Sequence, residues 1–317
     1  MSLPYYRFNR LRALVILAMC VTAAASPQDQ IRLTSRIVTA KIKVDDLSMI
    51  IVPVSINGSG PYDFLLDTGA AKSMVDRKLA NELALPRVGE KTVVGALAST
   101  AMFVVHVNSL SVAGASVSGG EIFSSDSVAT VSGKVRGVLG EDFLKNFDLL
   151  VDYRHQVIEL ESSTGSLADT AGGEHLPLQL DGMYQGQPAR NRLVVSGSIP
   201  ELGGRPMTLL LDSGTNHMVL FRDDLGARGA DSETVRAGFL GSWITPDAAT
   251  RTFRSLSLGK SSVDDLTVVG LSRRPYADID GLLPTSMFHS IFISHRDRFV
   301  ILNPSFPKIL TKPQESK

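Results

Sequence analysis

The stretch Pro61-Tyr62-Asp63-Phe64-Leu65-Leu66-Asp67-Thr68-Gly69 recurs in outline as Pro206-Met207-Thr208-Leu209-Leu210-Leu211-Asp212-Ser213-Gly214, 145 positions later. Both copies open on proline, run through apolar residues and end in Asp-hydroxyl-Gly. A second pair of blocks, Gly137-Val138-Leu139-Gly140 and Gly281-Leu282-Leu283-Pro284, lies at nearly the same offset. Each is followed by a Phe-containing stretch and then an aliphatic strand, Val157-Ile158-Glu159-Leu160 in the first copy and Phe299-Val300-Ile301-Leu302 in the second. Two anchors in the same order at one offset indicate a duplicated domain. The period is far too long for a solenoid, whose repeats run to about 20–50 residues.

Between the copies, residues 161–176 are rich in Ser, Thr, Gly and Ala, a linker composition. The expected organisation is a first lobe over 26–165, a linker over 166–177 and a second lobe over 178–317. Both lobes read as short strands. Ile50-Ile51-Val52-Pro53-Val54-Ser55-Ile56 is β-branched and ends at Asn57-Gly58, a turn signal. Val104 to Val107 and Leu266 to Val269 read likewise. One short helix is expected over 76–83 with Asp76 as its N-cap, and Arg222 to Leu225 is its shorter counterpart. Many strands and few helices predict an all-β architecture.

The first 25 residues read as a signal peptide: basic Arg7, Arg10 and Arg12, an apolar run from Ala13 to Val21, then Ala23-Ala24-Ala25-Ser26. The apolar run is short for a membrane span, and an uncleaved anchor is the alternative. The chain is therefore expected to be exported, to the periplasm or beyond the cell. Cys20 is the only cysteine of the 317 residues and lies inside that segment. A processed chain has no disulfide, no thiolate nucleophile and no cysteine metal site. Lys+Arg and Asp+Glu are equal at 32, and aromatic residues are 6%. That balance gives no electrostatic footprint for nucleic acid. The apolar content of 44% supports a sizeable core.

A lone Asp-[Ser/Thr]-Gly triplet is a common turn. Here each triplet ends an apolar strand, Phe64-Leu65-Leu66 or Leu209-Leu210-Leu211, which carries the carboxylate into the core. A buried carboxylate costs several kcal/mol unless hydrogen-bonded or protonated. Gly69 and Gly214 permit a tight turn whose N–H groups face the carboxylate, and Thr68 and Ser213 offer hydroxyls to the opposite loop. A two-fold relation between the copies would set Asp67 beside Asp212. Two such carboxylates share a proton and titrate as a pair. The ionised one can activate water, while the protonated one polarises a scissile carbonyl and later protonates the leaving amine.

With these residues in view, the chain resembles aspartic proteases of the pepsin and retropepsin type, most of all bacterial retropepsin-like proteins with two copies in one chain. The resemblance rests on Leu65-Leu66-Asp67-Thr68-Gly69-Ala70, on Leu210-Leu211-Asp212-Ser213-Gly214-Thr215, and on a later apolar-apolar-Gly element. Val138-Leu139-Gly140 matches that element, and Leu282-Leu283-Pro284 departs from it at Pro284. The resemblance implies a bilobed acid-protease fold, two β-barrel-like lobes with pseudo-two-fold symmetry. It also implies an aspartic endopeptidase with Asp67 and Asp212 as catalytic dyad, Thr68, Gly69, Ala70, Ser213, Gly214 and Thr215 as supporting loops, and no metal or cofactor. The expected partner is a peptide or unfolded protein, bound by a monomer that is not inserted in a membrane after signal removal.

The family closes its cleft with a β-hairpin flap. Thr92 to Val105 is the first-lobe candidate, with Leu97 at its tip as a cleft residue; the pepsin-type flap Tyr is missing. Ala237 to Phe253 corresponds in the second lobe, and Trp243 there is the second cleft candidate. The histidines do not pair at metal-ligand spacing. His217, five positions after Asp212, is a cleft candidate set against a surface or helix-start role. Two other readings stay open: a catalytically weak or inactive peptide-binding module that uses the same cleft, motivated by Pro284 and the missing flap Tyr, and an enzyme that needs further processing.

Overall fold

The computed structural model describes residues 30–32, 36–94, 99–126, 128, 134–162, 165–180, 182–184, 187–189, 192–225, 238–239, 242–243, 250–271 and 278–306. The signal peptide and the flap-tip residue Leu97 lie outside them. Among the described residues, strands dominate and no helix is long and apolar enough to cross a membrane.

The repeat seen in the sequence is a repeat of pairings. In the first half the strands run 50–56, 59–66, 137–139, 74–76, 115–125 and 99–112, in the order of their hydrogen bonding. In the second half the order is 194–197, 207–212, 281–284, 218–221, 261–271 and 250–258. The directions agree at each step: antiparallel, parallel, antiparallel, parallel, antiparallel. The first set closes on itself where Ser55 faces Ser111, and the second where Ser198 bridges Ser257. These are the two lobes of an all-β, bilobed fold.

The apolar runs before each Asp loop are continuous because the strands are buried on both faces. In Ser59–Leu66, Phe64 and Leu66 point into the main core while Leu65 packs with Met49, Met74 and Val138 on the other side. In Met207–Asp212, Leu209 and Leu211 join the main core while Leu210 packs with Val194, Val219 and Leu282. Full burial of one such Leu contributes about 1.5–3 kcal/mol, so each loop hangs from a strand that cannot slide by one residue without exposing it. Ile50–Ile56 alternates buried and half-buried positions as its pattern requires. The turn after it forms with Asn57 at φ 53° and Gly58 at φ 80°.

The expected helix spans Arg77–Glu82 and is capped by Asp76, which accepts from Leu79 N at 3.3 Å. Its counterpart is a single 3-10 turn, Asp223–Leu225.

Two features go beyond the sequence reading. The linker is packed rather than loose: Ser166–Thr170 is helical, with Leu167 and Ala168 buried. Glu161, itself fully buried, accepts from the backbone N–H of Ser166 (3.1 Å) and Leu167 (2.7 Å). Small Ser and Ala residues read as linker, yet here they fit a close helical packing. The halves also share a third sheet. Asp148–Asp152 and Val157–Glu161 from the first half, with Ile37–Lys41, pair through Ser290–Ser294 to Phe299–Leu302 and Leu176–Pro177 of the second. This sheet fixes one half against the other.

Candidate active site

The two Asp-hydroxyl-Gly loops meet. Thr68 Oγ1 donates to Leu211 O at 2.9 Å and accepts from Ser213 N at 3.0 Å. Ser213 Oγ donates to Leu66 O at 2.7 Å and accepts from Thr68 N at 3.0 Å. Each hydroxyl thus satisfies the backbone of the opposite loop, and the four bonds obey the two-fold relation. Thr68 is 1% and Ser213 3% exposed, so these bonds form away from water. Thr68→Val, of similar shape, leaves the buried Ser213 N–H and Leu211 carbonyl unpaired. The expected cost is about 2 kcal/mol, read by denaturant unfolding, and Ser213→Ala is expected to match it.

The crossing places Asp67 and Asp212 side by side, each carboxyl against the glycine of the opposite loop. A Cβ built on Gly69 would stand 2.5 Å from Asp212 Cγ, and one on Gly214 2.5 Å from Asp67 Oδ2. Both glycines are therefore required by the approach of the opposite carboxylate. Both aspartates are buried, at 4% and 8% exposure.

The pair is not symmetric. Asp67 Oδ1 accepts from Gly69 N (2.8 Å) and Ala70 N (3.1 Å), while Asp212 accepts from Gly214 N (2.7 Å). Burial pushes Asp67 up to about 6, against the lowering effect of its two N–H donors. Burial, and then the neighbouring Asp67 charge, push Asp212 well above the ordinary carboxylate range. The extra N–H donor favours the charge on Asp67 and the shared proton on Asp212.

Beneath the loops the halves also differ. Gly140 N donates to Ser73 Oγ (3.0 Å) and Glu141 N to Ala70 O (2.8 Å), so the first loop is held from below by two N–H groups. A Cβ at Gly140 would meet Ala70 O at 2.7 Å. At the matching position Pro284 lies in register with Asp212 at φ −66° and has no N–H to give. The strand accommodates the ring, so the departure from the family pattern leaves the pairing intact.

Residues 52–146 match the family described as "gag-polyprotein putative aspartyl protease". That stretch of the first half is thus similar to a family of aspartyl proteases. Among solved structures, a retropepsin-like aspartic protease from Rickettsia conorii is similar at 14% identity and a TM-score of 0.31, covering 43% of this chain and 96% of that one. No curated protein matches. The family match spans the first Asp loop and the element beneath it, and the second loop enters through the geometry described above.

Of the other expected residues, Ala70 contributes its N–H to Asp67. Thr215 is buried and its hydroxyl donates to His217 O at 3.1 Å, tying down the second loop. His217 is half-buried, bonded through Nδ1 to Asn216 Oδ1 at 2.8 Å, and depressed by desolvation; it starts no helix. The first-lobe flap candidate, residues 92–105, falls within the hairpin Arg87–Val94 with Ser99–Val112, and Leu97 lies outside the described residues. Trp243 lies on a two-residue strand paired with Gly238–Phe239. Sequence reasoning missed Glu141, Tyr153, Thr285 and His295, which lie under the loops. The signal that could have found Glu141 and Thr285 is their place directly after the apolar-apolar-Gly/Pro elements.

Proposed function

We propose that the protein is an aspartic endopeptidase that hydrolyses peptide bonds with water activated between Asp67 and Asp212. The observation that carries the reading is the unequal carboxyl pair: two buried carboxyls in contact, one with two backbone N–H donors and one with a single donor. That inequality supports one ionised and one protonated member over the pH range where general acid–base chemistry needs them.

In this reading ionised Asp67 takes a proton from water as the oxygen adds to the scissile carbonyl carbon. Asp212 gives its proton to the carbonyl oxygen, so a neutral gem-diol forms. As the C–N bond breaks, the proton taken up by Asp67 passes to the leaving nitrogen, and Asp212 recovers a proton from a diol hydroxyl. The pair ends as it began. The amine's proton thus comes from Asp67, rather than from the initially protonated partner.

The family implies peptide substrates. An extended peptide or unfolded protein bound between the lobes, with the first hairpin as its cover, fits this geometry. The chain acts as a monomer in this reading, because both Asp loops are supplied in one chain. Export is part of the proposal and is supported by the basic, apolar and small-residue pattern of residues 7–26. The test is cleavage of an unfolded protein by the purified chain from acid to neutral pH. A bell-shaped profile, with its acidic limb near the Asp67 value of about 6, supports the pair as acid and base. A folded chain that cuts at no pH removes the protease reading.

A further inference from the structure

Under the Asp67 loop lies a second buried titratable pair that the reaction above does not use. Glu141 is fully buried, and its Oε2 is 2.9 Å from His295 Nε2. His295 belongs to the second half, in the turn between Ser290–Ser294 and Phe299–Leu302, yet its ring enters the first half. Its Nδ1 lies 2.7 Å from Phe147 O. A carbonyl oxygen only accepts, so Nδ1 carries hydrogen. A single further proton is then shared along the Nε2–Oε2 line, and the pair is charge-neutral whichever atom holds it. If that proton leaves, a buried anion remains below Asp67.

The second half has an equivalent crossing with different chemistry. Thr285 follows Pro284 as Glu141 follows Gly140, and Tyr153 opens the turn after Asp148–Asp152 as His295 opens the turn after Ser290–Ser294. Tyr153 Oη and Thr285 Oγ1 are 2.5 Å apart. Both halves are thus pinned under their Asp loop by a side chain from the other half. The pin under Asp212 is a hydroxyl pair that does not titrate near neutrality, and the pin under Asp67 does.

We propose that Glu141 and His295 are positioning residues for the carboxylate pair: His295 enters the first half to hold Glu141 under the Asp67 loop, and together they set the pH at which Asp67 ionises. The inference rests on the reading of Asp67 and Asp212 as the dyad. Glu141 reaches Asp67 in two ways. Its backbone N–H holds Ala70 O at 2.8 Å, and Ala70 N in turn holds Asp67 Oδ1. Its carboxylate charge also acts on Asp67 through low-dielectric protein. Glu141 Oε1 has no hydrogen-bond partner among the described residues, so the pairing through Oε2 is what offsets its burial. The other charged groups facing the pair are Asp142 and Lys145 beside Glu141, and Asp148 beside His295, with Arg296 acting on Asp148 and Asp297 bonded to Arg296. Burial pushes Glu141 up; burial opposes charge on His295, but Glu141 and Phe147 O outweigh it and raise it.

The test is a carbon-13 NMR titration of the full chain labelled at aspartate Cγ and histidine Cε1, with Asp67→Asn and His295→Gln assigning the signals. In Glu141→Gln the Asp67 midpoint is expected to fall by roughly half a pH unit or more, and the His295 midpoint to drop from above the ordinary histidine value to below it. The acidic limb of kcat/KM should move with Asp67 while KM stays nearly constant. If Glu141→Gln does not fold, the double variant Glu141→Gln/His295→Gln keeps a neutral hydrogen-bonded pair and is expected to lower the Asp67 midpoint in the same direction. A role in packing alone lowers stability and leaves the Asp67 midpoint where it was, although the His295 midpoint still falls with the loss of its carboxylate partner. An unmoved Asp67 midpoint in the folded variant overturns the proposal. Because the titration needs no cleavage, it separates the two ideas: an inactive parent with a moving midpoint sinks the protease reading alone, and an active parent with a fixed midpoint sinks this one alone.

Discussion

Asp67→Asn and Asp212→Asn are each expected to abolish peptide cleavage, lowering kcat/KM by about a thousandfold to ten-thousandfold, while the protein stays folded. An asparagine Oδ1 at position 67 can still accept from Gly69 N and Ala70 N, and an Nδ2 at position 212 can still donate to Asp67. The loops therefore keep their hydrogen bonds, and Thr68 and Ser213 keep the halves joined. What is lost is a proton acceptor at position 67 or an acid at position 212, and in the balanced reaction each is used twice. Neither loss is compensated by the other member, so the effects are not additive and the double variant is expected to be no worse than either single one. The measurement is steady-state cleavage beside thermal unfolding of the same samples. Cleavage that survives both substitutions would sink the dyad.

Stability is expected to be highest at acidic pH and to fall as pH rises, the reverse of a protein held by ionised surface carboxylates. The sign follows from the dyad. Burial pushes Asp67 up to about 6 in the folded chain from its ordinary value of 3.8. Between those values the folded state binds more protons than the unfolded one, so stability is lost as pH rises from about 4 through 6. The shift corresponds to about 3 kcal/mol, or roughly 5–10 °C in melting temperature for a chain of this size. Asp212, raised well above its ordinary value, extends the loss to higher pH. Glu141, Asp142 and Asp148 are raised by burial and act in the same direction. His295, raised by Glu141 against its own burial, also stabilises at low pH and loses that contribution as pH rises. Carboxylates lowered by partners, such as Asp224 and Asp297, lie at the surface, where screening leaves them little weight. Melting curves from pH 4 to pH 8 test the slope, and Asp212→Asn, which removes the shared proton, is expected to flatten it. A melting temperature that climbs steadily over that range would contradict the buried, proton-sharing pair.

The parts of this protein legible in its sequence are those carried by local pattern. Phe64-Leu65-Leu66 and Leu209-Leu210-Leu211 announce strands buried on both faces, because no polar residue interrupts them. Asp-hydroxyl-Gly at the end of each run announces a tight turn with a buried carboxyl. The offset between the copies announces two halves, and with them the pairing of Asp67 with Asp212. Residues 161–176 carry a linker composition, yet Ser, Gly and Ala are equally suited to the close packing of Ser166–Thr170.

By itself, then, the sequence determined the strand pattern, the duplication and the identity of the two aspartates, since periodicity and turn chemistry depend on neighbours along the chain. Only the tertiary structure made the two carboxyls unequal, because that depends on two N–H donors against one. It also decided that Tyr153 meets Thr285 and that His295 meets Glu141 across 154 residues of chain. A hydrogen bond between distant segments leaves no periodic trace, and the sheet shared by the two halves is what brings those segments together.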